Sequence, residues 1–306
     1  MIFDTHTHYD DAAFDADRYS VIESLPEEGI GRICNIGSTM QGARASAAFS
    51  EKYAHVYAAA GVHPDEVYDF CPGMRPDEAE AMFSEYESSD AGRAESEFSA
   101  EITEIWPYGR AVFEELKGLS ERERTVAVGE IGLDYHGYDV YDVKPGKEFQ
   151  KYWFRKQLGL AIETGKPVVI HSRNASADTM ELMKRAHESG LCGAVIHCFS
   201  YSRETALEYL DMGFYLGFGG VITYEGQKKL TKALEATPLD RILIETDCPY
   251  LTPVPVRKKG VWSRNASHYL PHVIKRIAEI KNVSAEEIEK ITWDNACRFY
   301  RINDGI

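Results

Sequence analysis

The chain lacks the features that mark several classes of protein. No run of about 20 apolar residues occurs, so the sequence offers no candidate for a membrane-spanning helix. Its 34 Lys and Arg stand against 49 Asp and Glu, and the net charge of −15 argues against a broad basic surface that would hold duplex phosphates. No Cys-x-x-Cys pair occurs among the six cysteines. Their scatter predicts a reduced, cytoplasmic protein and argues against a thiolate metal site.

What the sequence does contain is a regular alternation of short, β-rich runs with longer helical segments. Eight strands are predicted, near residues 2–6, 32–36, 56–61, 126–132, 167–171, 194–198, 213–218 and 241–247. Helices are predicted between and after them, near residues 18–28, 39–54, 148–164, 176–189, 202–211, 225–236, 270–281 and 284–302. Repeated βα units predict an α/β fold, here a (β/α)8 TIM barrel formed by residues 1–306 as a single domain.

The connection between the third and fourth predicted strands is too long for an ordinary βα unit. Residues 66–124 hold 16 acidic and 6 basic side chains, a net charge of −10. They predict an acidic helical insertion, with helices near 76–87 and 98–119. Two interpretations stay open: a solvated elaboration of the barrel rim, or a lid or surface for a protein partner of unknown identity. Deletion of 70–120 is predicted to leave a folded barrel.

The first candidate metal ligands are two histidines at the end of the first strand. His6 and His8 are two residues apart, so both imidazoles point to one face of the strand and can reach one cation. Asp4 shares their parity and is predicted to orient one of the imidazoles. Because the strand begins at residue 2, a cleaved signal peptide would remove these ligands and is not expected.

Four further candidate ligands end later strands: Glu130, His171, His197 and Asp247. Parallel barrel strands deliver their carboxyl ends to one mouth, so these side chains are expected to meet the two histidines there. A carboxylate such as Glu130 can bridge two cations about 3.5–4 Å apart. Asp247 can ligate a cation and accept the proton of an attacking water. The pattern predicts a metal-dependent hydrolase with Glu130 and Asp247 as catalytic residues.

Residues beside the same strand ends are predicted to bind substrate. Arg173 follows the histidine of the fifth strand, and its planar guanidinium suits a phosphate, although a surface salt bridge would also explain it. His63 ends the third strand and is predicted to contact substrate or an oxyanion. Asp134 and Tyr135 lie on the loop after the fourth strand, where substrate contact is predicted.

Strand alternation alone makes predictions for three residues beside the ligands. Cys198 and Cys248 each follow a candidate ligand and are therefore predicted to face outward, away from any metal. Glu245 shares the parity of Asp247 and is predicted to point inward, one layer deeper in the barrel.

Together these runs resemble the TatD family of metal-dependent nucleases, within the amidohydrolase-like barrels. The similarity covers roughly residues 1–65 and 125–302. The runs that carry it include Asp4-Thr5-His6-Thr7-His8, Gly61-Val62-His63-Pro64, Gly129-Glu130-Ile131-Gly132-Leu133-Asp134-Tyr135, His171-Ser172-Arg173-Asn174-Ala175, His197-Cys198-Phe199-Ser200 and Glu245-Thr246-Asp247-Cys248-Pro249-Tyr250-Leu251.

The resemblance implies a (β/α)8 barrel that hydrolyses DNA phosphodiesters, often from the 3′ end. It implies two divalent metal ions, with Mg²⁺ or Mn²⁺ supporting activity and Zn²⁺ able to occupy the same ligands. By the family pattern, one ion is held by His6, His8, Glu130 and Asp247, and the other by Glu130, His171 and His197. One departure from the family pattern is Asp65, at a position where members often carry a histidine.

The ligand pattern thus predicts a cytoplasmic two-metal phosphodiesterase, and the resemblance implies a deoxyribonuclease of the 3′–5′ exonuclease kind acting on single-stranded DNA or 3′ ends. Two alternatives stay open. The same ligands would serve an amidohydrolase that opens a cyclic amide or lactone, since a fold does not decide a function. A non-catalytic scaffold that uses the acidic insertion is the other alternative, and the intact ligands argue against it.

Overall fold

Eight parallel strands form the centre of the molecule and pair in chain order. The computed structural model describes residues 1–89, 96–100, 107–137, 144–258, 261 and 263–302. The strands are β1 (Ile2–Thr7), β2 (Ile30–Ile36), β3 (Val56–Ala60), β4 (Thr125–Asp134), β5 (Val168–Arg173), β6 (Ala194–Ile196), β7 (Tyr215–Phe218) and β8 (Ile242–Ile244). Each strand pairs with the next, and a parallel bridge between Thr7 and Cys248 brings the chain after β8 back to β1. The sheet is a nearly closed barrel.

Helices follow the strands and cover the outside of the barrel. They are α1 (Arg18–Ser24), α2 (Met40–Lys52), α3 (Pro76–Ser88), α4 (Pro107–Ser120), α5 (Lys147–Thr164), α6 (Ser176–Glu188), α7 (Arg203–Asp211), α8 (Lys228–Ala236), α9 (Leu270–Lys281) and α10 (Ala285–Tyr300). The alternation confirms the predicted (β/α)8 TIM barrel. None of these described helices is both long enough and apolar enough to cross a bilayer.

The strands are short because their sequences are apolar only over the part that is covered on both faces. In β5, for example, Val168, Val169 and Ile170 are buried, as expected for a parallel strand between a filled interior and outer helices. β6 and β8 end earlier than predicted, at Ile196 and Ile244. The residues after them leave the strand conformation, and the ligand-bearing ends of these two segments therefore lie on loops at the mouth.

The barrel interior is filled by an apolar layer to which every strand contributes. The strand residues in this layer are Phe3, Cys34, Ile36, Ala59, Ala127, Val169, Val195, Tyr215 and Leu243. Helix α10 adds Phe299 and Tyr300 to the same cluster, and the Tyr300 hydroxyl donates to the Thr5 carbonyl over 2.7 Å. The apolar layer separates this end of the barrel from the carboxyl ends of the strands, where the polar ligands gather.

The long connection after β3 contains two described helices with different surroundings. Helix α4 packs on β3, β4 and α2, and its Phe113 and Leu116 are fully buried in the main core. It therefore serves as the barrel helix of the third βα unit. The elements added to a plain barrel are the 3-10 turn Pro64–Phe70 and α3. Residues 90–95 and 101–106 of the predicted insertion lie outside the described residues.

The burial of α4 changes the expected outcome of deleting 70–120, because the deletion would remove part of the core. A point substitution measures this more cleanly. We expect Phe113→Ala to lower the free energy of unfolding by about 3–5 kcal/mol, the usual cost of a large buried cavity. Urea denaturation provides the measurement, with Glu114→Ala on the exposed face of the same helix as the control. Equal stability of the two variants would show that α4 is not part of the core.

Candidate metal centre

The first group of potential ligands lies between the ends of β1, β4 and β8. The Nε2 atoms of His6 and His8 are 3.0 Å apart. They lie 3.7 and 3.4 Å from Asp247 Oδ1, and 3.5 and 3.6 Å from Glu130 Oε2. We call these four residues, with Glu130 contributing Oε2, the first ligand set.

The second ligand set shares Glu130 and adds histidines from β5 and from the loop after β6. Glu130 Oε1 is 2.9 Å from His171 Nδ1 and 2.8 Å from His197 Nε2. The two imidazole nitrogens are 3.4 Å apart. The imidazoles of His6 and His197 stack with ring centroids 4.1 Å apart, so the two ligand sets are in contact.

The donor atoms fit divalent cations. Ligand atoms at about 2.0–2.2 Å from one ion lie roughly 3.0–3.5 Å from each other, close to the separations within each set. The tautomers also fit. His8 Nδ1 donates to the Ile36 carbonyl over 2.9 Å, so in the neutral imidazole the Nε2 lone pair faces the first set. His171 Nε2 donates to Asp134 Oδ2 over 3.0 Å, which leaves Nδ1 facing the second.

At Glu130 and His8, interactions among the charged ligand side chains outweigh the unfavourable effect of burial on the charged form. Burial disfavours the Glu130 carboxylate, but His197, His171 and His6 outweigh burial and hold its pKa well below the usual range. Burial likewise opposes the charged form of His8, yet Asp247 and Glu130 raise its pKa to about 10. A cation that binds to the first set must therefore displace a proton from His8, so metal affinity falls as pH falls.

The assignment of this chain to a protein family follows from a match over nearly its whole length. The family model described as TatD related DNase matches residues 3–301. The chain belongs to the TatD family. This TatD family member is 36% identical over 303 residues to the metal-dependent hydrolase YabD of Bacillus subtilis, covering 99% of the chain and 100% of YabD. It is 28% identical over 303 residues to the 3′-5′ ssDNA/RNA exonuclease TatD of Cronobacter sakazakii, covering 99% and 98% of the two chains.

A solved structure of the TatD family has the same fold. The crystal structure of the TatD homologue YJJV from Escherichia coli matches with a TM-score of 0.75 and 27% identity, covering 99% of this chain and 98% of YJJV. The resemblance inferred from the sequence runs is therefore confirmed. The protein is a TatD family metal-dependent hydrolase built on a TIM barrel, and the mouth brings together histidine, aspartate and glutamate side chains that could hold metal ions.

Asp4 does not orient an imidazole, and that prediction was wrong. Its carboxylate accepts from the backbone N–H and the hydroxyl of Thr246, over 3.0 and 2.7 Å, and from the Ser267 hydroxyl over 2.7 Å. The register of β1 against β2 shifts between Asp4 and Thr7, so simple alternation fails there. Asp4 instead holds the backbone one residue before Asp247. Burial raises the pKa of Asp4 to about 6.

The alternation of side chains along a strand also gave a wrong prediction for Cys198. This residue lines the cavity over the two ligand sets instead of facing outward. The chain leaves β6 after Ile196, and Cys198 adopts a φ of 44°, in the left-handed region. Cys248 is buried in the main core, as its predicted outward orientation requires. Glu245 is buried beside the second ligand set, with Oε1 3.7 Å from His197 Nδ1, and it accepts from the backbone N–H of Cys198.

The four predicted substrate residues have different surroundings. A cavity of about 680 Å³ lies over the metal centre, and His63, Asp134 and Arg173 line it. His63 Nδ1 accepts from the Asp65 N–H over 3.2 Å, and its Nε2 lies 3.9 Å from Glu130 Oε1. The fourth, Tyr135, is not among the described lining residues, because its hydroxyl turns away and donates to Asp178 Oδ2 over 2.7 Å.

Asp134, which lines the cavity, also forms several contacts within the protein. Besides His171, it accepts from the His136 N–H over 2.7 Å and from Lys144 Nζ over 2.9 Å. Lys144 also pairs with Asp65 Oδ1 over 2.8 Å, and its side chain is only 6% exposed. Lys144 was not among the predicted site residues, and Asp65 was predicted only as a departure from the family pattern. The structure gives that carboxylate a cationic neighbour.

Lys144 is expected to support metal binding at the second ligand set, because it holds Asp134 and Asp134 holds His171. We expect Lys144→Met to weaken one of the metal-binding steps by about 10–100-fold, the usual effect of losing a group that orients a ligand. Isothermal titration with Mn²⁺ provides the measurement. Lys184→Met is the matched control, because Lys184 pairs with Glu208 on the outside of the barrel. Unchanged affinity in every binding step of Lys144→Met would contradict this role.

Proposed function

We propose that this protein hydrolyses phosphodiester bonds of single-stranded DNA from the 3′ end, with two divalent cations, Mg²⁺ or Mn²⁺, held by the two ligand sets. The proposal rests on the orientation of the Glu130 carboxylate. Its Oε2 faces the first ligand set and its Oε1 faces the second. Two cations in that arrangement supply charge stabilisation for both the attacking and the leaving oxygen of an in-line displacement. The name of the Cronobacter sakazakii relative, a 3′-5′ ssDNA/RNA exonuclease, supports this choice of substrate.

Asp247 is the residue best placed to accept the proton of the attacking water. Its side chain is 16% exposed and lines the cavity, whereas that of Glu130 is 5% exposed and surrounded by histidines. Burial disfavours the Asp247 carboxylate, but His8, His197 and His6 outweigh burial and lower its pKa. Asp247 is therefore ionised at neutral pH and able to take up a proton.

Arg173 and His63 are proposed to bind the phosphate. Among the cavity-lining residues that the structure describes, Arg173 alone carries a permanent positive charge, and its guanidinium can bind two phosphate oxygens. Burial lowers the pKa of His63 to about 3, so its imidazole is neutral. Because Nδ1 accepts from Asp65, the proton of His63 is on Nε2, which can donate to a phosphate oxygen.

Product mapping tests the proposal. Single-stranded and double-stranded oligonucleotides, labelled at either end, are incubated with the protein and Mg²⁺, Mn²⁺ or Zn²⁺ in turn. We expect mononucleotides to be released from the 3′ end of the single strand with Mg²⁺ or Mn²⁺. Intact oligonucleotides under all three conditions, combined with turnover of a cyclic amide or lactone, would overturn the proposal.

We also propose a cytoplasmic location for the protein. The free thiols of all six cysteines agree with that location.

A further inference from the structure

Among the described residues, exposed large hydrophobic side chains are few, and several of them follow β8 in the sequence. The large hydrophobic residues exposed in the described part of the chain are Met1, Tyr19, Tyr250, Val254 and Val261. Three of these five lie within residues 250–261, directly after β8. Tyr250 is 51% exposed and lines the cavity over the metal centre, next to Leu251 and Val221. An aromatic ring at such a position has a face available to a ligand.

The position of the Tyr250 ring is determined at both ends of the residue. Its hydroxyl donates to Asp11 Oδ2 over 2.8 Å, and its backbone N–H donates to the Asp247 carbonyl over 2.9 Å. The preceding carbonyl, of Pro249, accepts from the N–H of the buried Asn265. The ring is therefore held at a constant position relative to Asp247, and a ligand that stacks on it loses little additional side-chain entropy.

Charge around Tyr250 favours a neutral ligand group. Asp10 and Asp11 line the cavity on this side, whereas Arg173 ends β5, three strands away around a barrel of eight. A phosphate that is bound at the metal centre near Arg173 would leave the rest of its nucleotide to extend across the mouth. A second phosphate beside Asp10 and Asp11 would be repelled, but an uncharged planar base would not.

We infer that Tyr250 is the platform on which a nucleobase stacks, and that it makes the site selective for nucleotides over other phosphodiesters. The base belongs to the 3′-terminal nucleotide that is released. This inference rests on the proposed function. It adds that the side of the cavity formed by Tyr250 recognises the nucleobase of the substrate. Stacking on an aromatic side chain tolerates every base, so no base preference is expected.

The experiment combines a change in the protein with a change in the substrate. Oligothymidylates carry either a normal 3′-terminal nucleotide or its abasic analogue. For the unmodified protein, we expect kcat/KM to be about 5–150-fold higher with the base present, which corresponds to the usual stacking contribution. Tyr250→Ala should reduce this ratio to about one-fold by removing the ring. Tyr250→Phe should retain most of the ratio, because the ring remains and only the bond to Asp11 is lost.

Tyr19→Ala is the matched control, since Tyr19 is 54% exposed on α1 and is not among the residues that line the cavity. It should retain the full ratio. A Tyr250→Ala protein that still prefers the base as strongly as the unmodified protein would overturn the inference while leaving phosphodiester hydrolysis intact.

A binding measurement separates this inference from the proposed function. With Mn²⁺ present, we expect thymidine monophosphate to bind more tightly than deoxyribose 5-phosphate, and Tyr250→Ala to remove that difference. If no oligonucleotide is cleaved but this difference appears and depends on Tyr250, the proposed exonuclease activity fails and the base platform stands. Equal binding of the two compounds by the unmodified protein would reject the platform.

Discussion

Glu130→Gln should weaken metal binding at both ligand sets and abolish hydrolysis. The substitution preserves size but replaces one oxygen by an amide nitrogen, which cannot ligate a cation. Because the two Glu130 oxygens face different sets, the amide also turns N–H groups toward imidazoles that need to keep their lone pairs free. A charge-stabilising contribution of several kcal/mol is lost, so kcat/KM should fall by about 10³-fold or more.

Titration with Mn²⁺ and initial rates on a nitrophenyl phosphodiester measure these two effects. Glu66→Gln is the matched control, because Glu66 is an exposed carboxylate that lines the same cavity outside both ligand sets. The control should bind Mn²⁺ normally. If Glu130→Gln bound Mn²⁺ as tightly as the unmodified protein, Glu130 could not be the residue that joins the two sets.

Asp247→Asn should separate catalysis from metal binding. The amide oxygen of asparagine can still ligate a cation weakly, but the side chain can no longer accept a proton from water. Loss of a positioned general base typically costs 10²–10⁴-fold, so we expect kcat to fall by about 10³-fold. Mn²⁺ titration should show retained binding at reduced affinity, since three ligands of the first set remain.

Asp240→Asn is the control for this variant, because Asp240 lies on the turn that precedes β8, at the opposite end of the strand from the mouth. Its activity should equal that of the unmodified protein. A fully active Asp247→Asn protein would remove Asp247 as the base and leave it, at most, as a ligand.

The fold was predictable because local sequence and global architecture agree. Buried parallel strands need continuous runs of β-branched residues, and segments such as Val168-Val169-Ile170 supply them. The convergence of the six candidate ligands was predictable for the same reason, since a barrel places the carboxyl ends of all its strands at one mouth. The sequence order of the ligands did not matter, only their positions at strand ends.

Side-chain direction was less predictable where a strand is irregular or has ended. A shifted register in β1 turns Asp4 toward β8, and the left-handed conformation at Cys198 turns that residue into the cavity. Lys144 could not be assigned from sequence, because its partners lie on separate segments, Asp65 after β3 and Asp134 at the end of β4. Such contacts depend on how loops meet in space, and no periodic pattern records them.

The contact between α10 and the barrel interior has a consequence for biosynthesis. The Tyr300 hydroxyl binds a carbonyl 295 positions earlier in the chain, and its ring packs against Phe3. At ribosomal speeds of about 5–20 residues per second, β1 emerges on the order of 15–60 s before the helix that covers its inner layer. During translation Phe3 and its neighbours are therefore exposed to water, and nascent chains should depend on chaperones until α10 has been released.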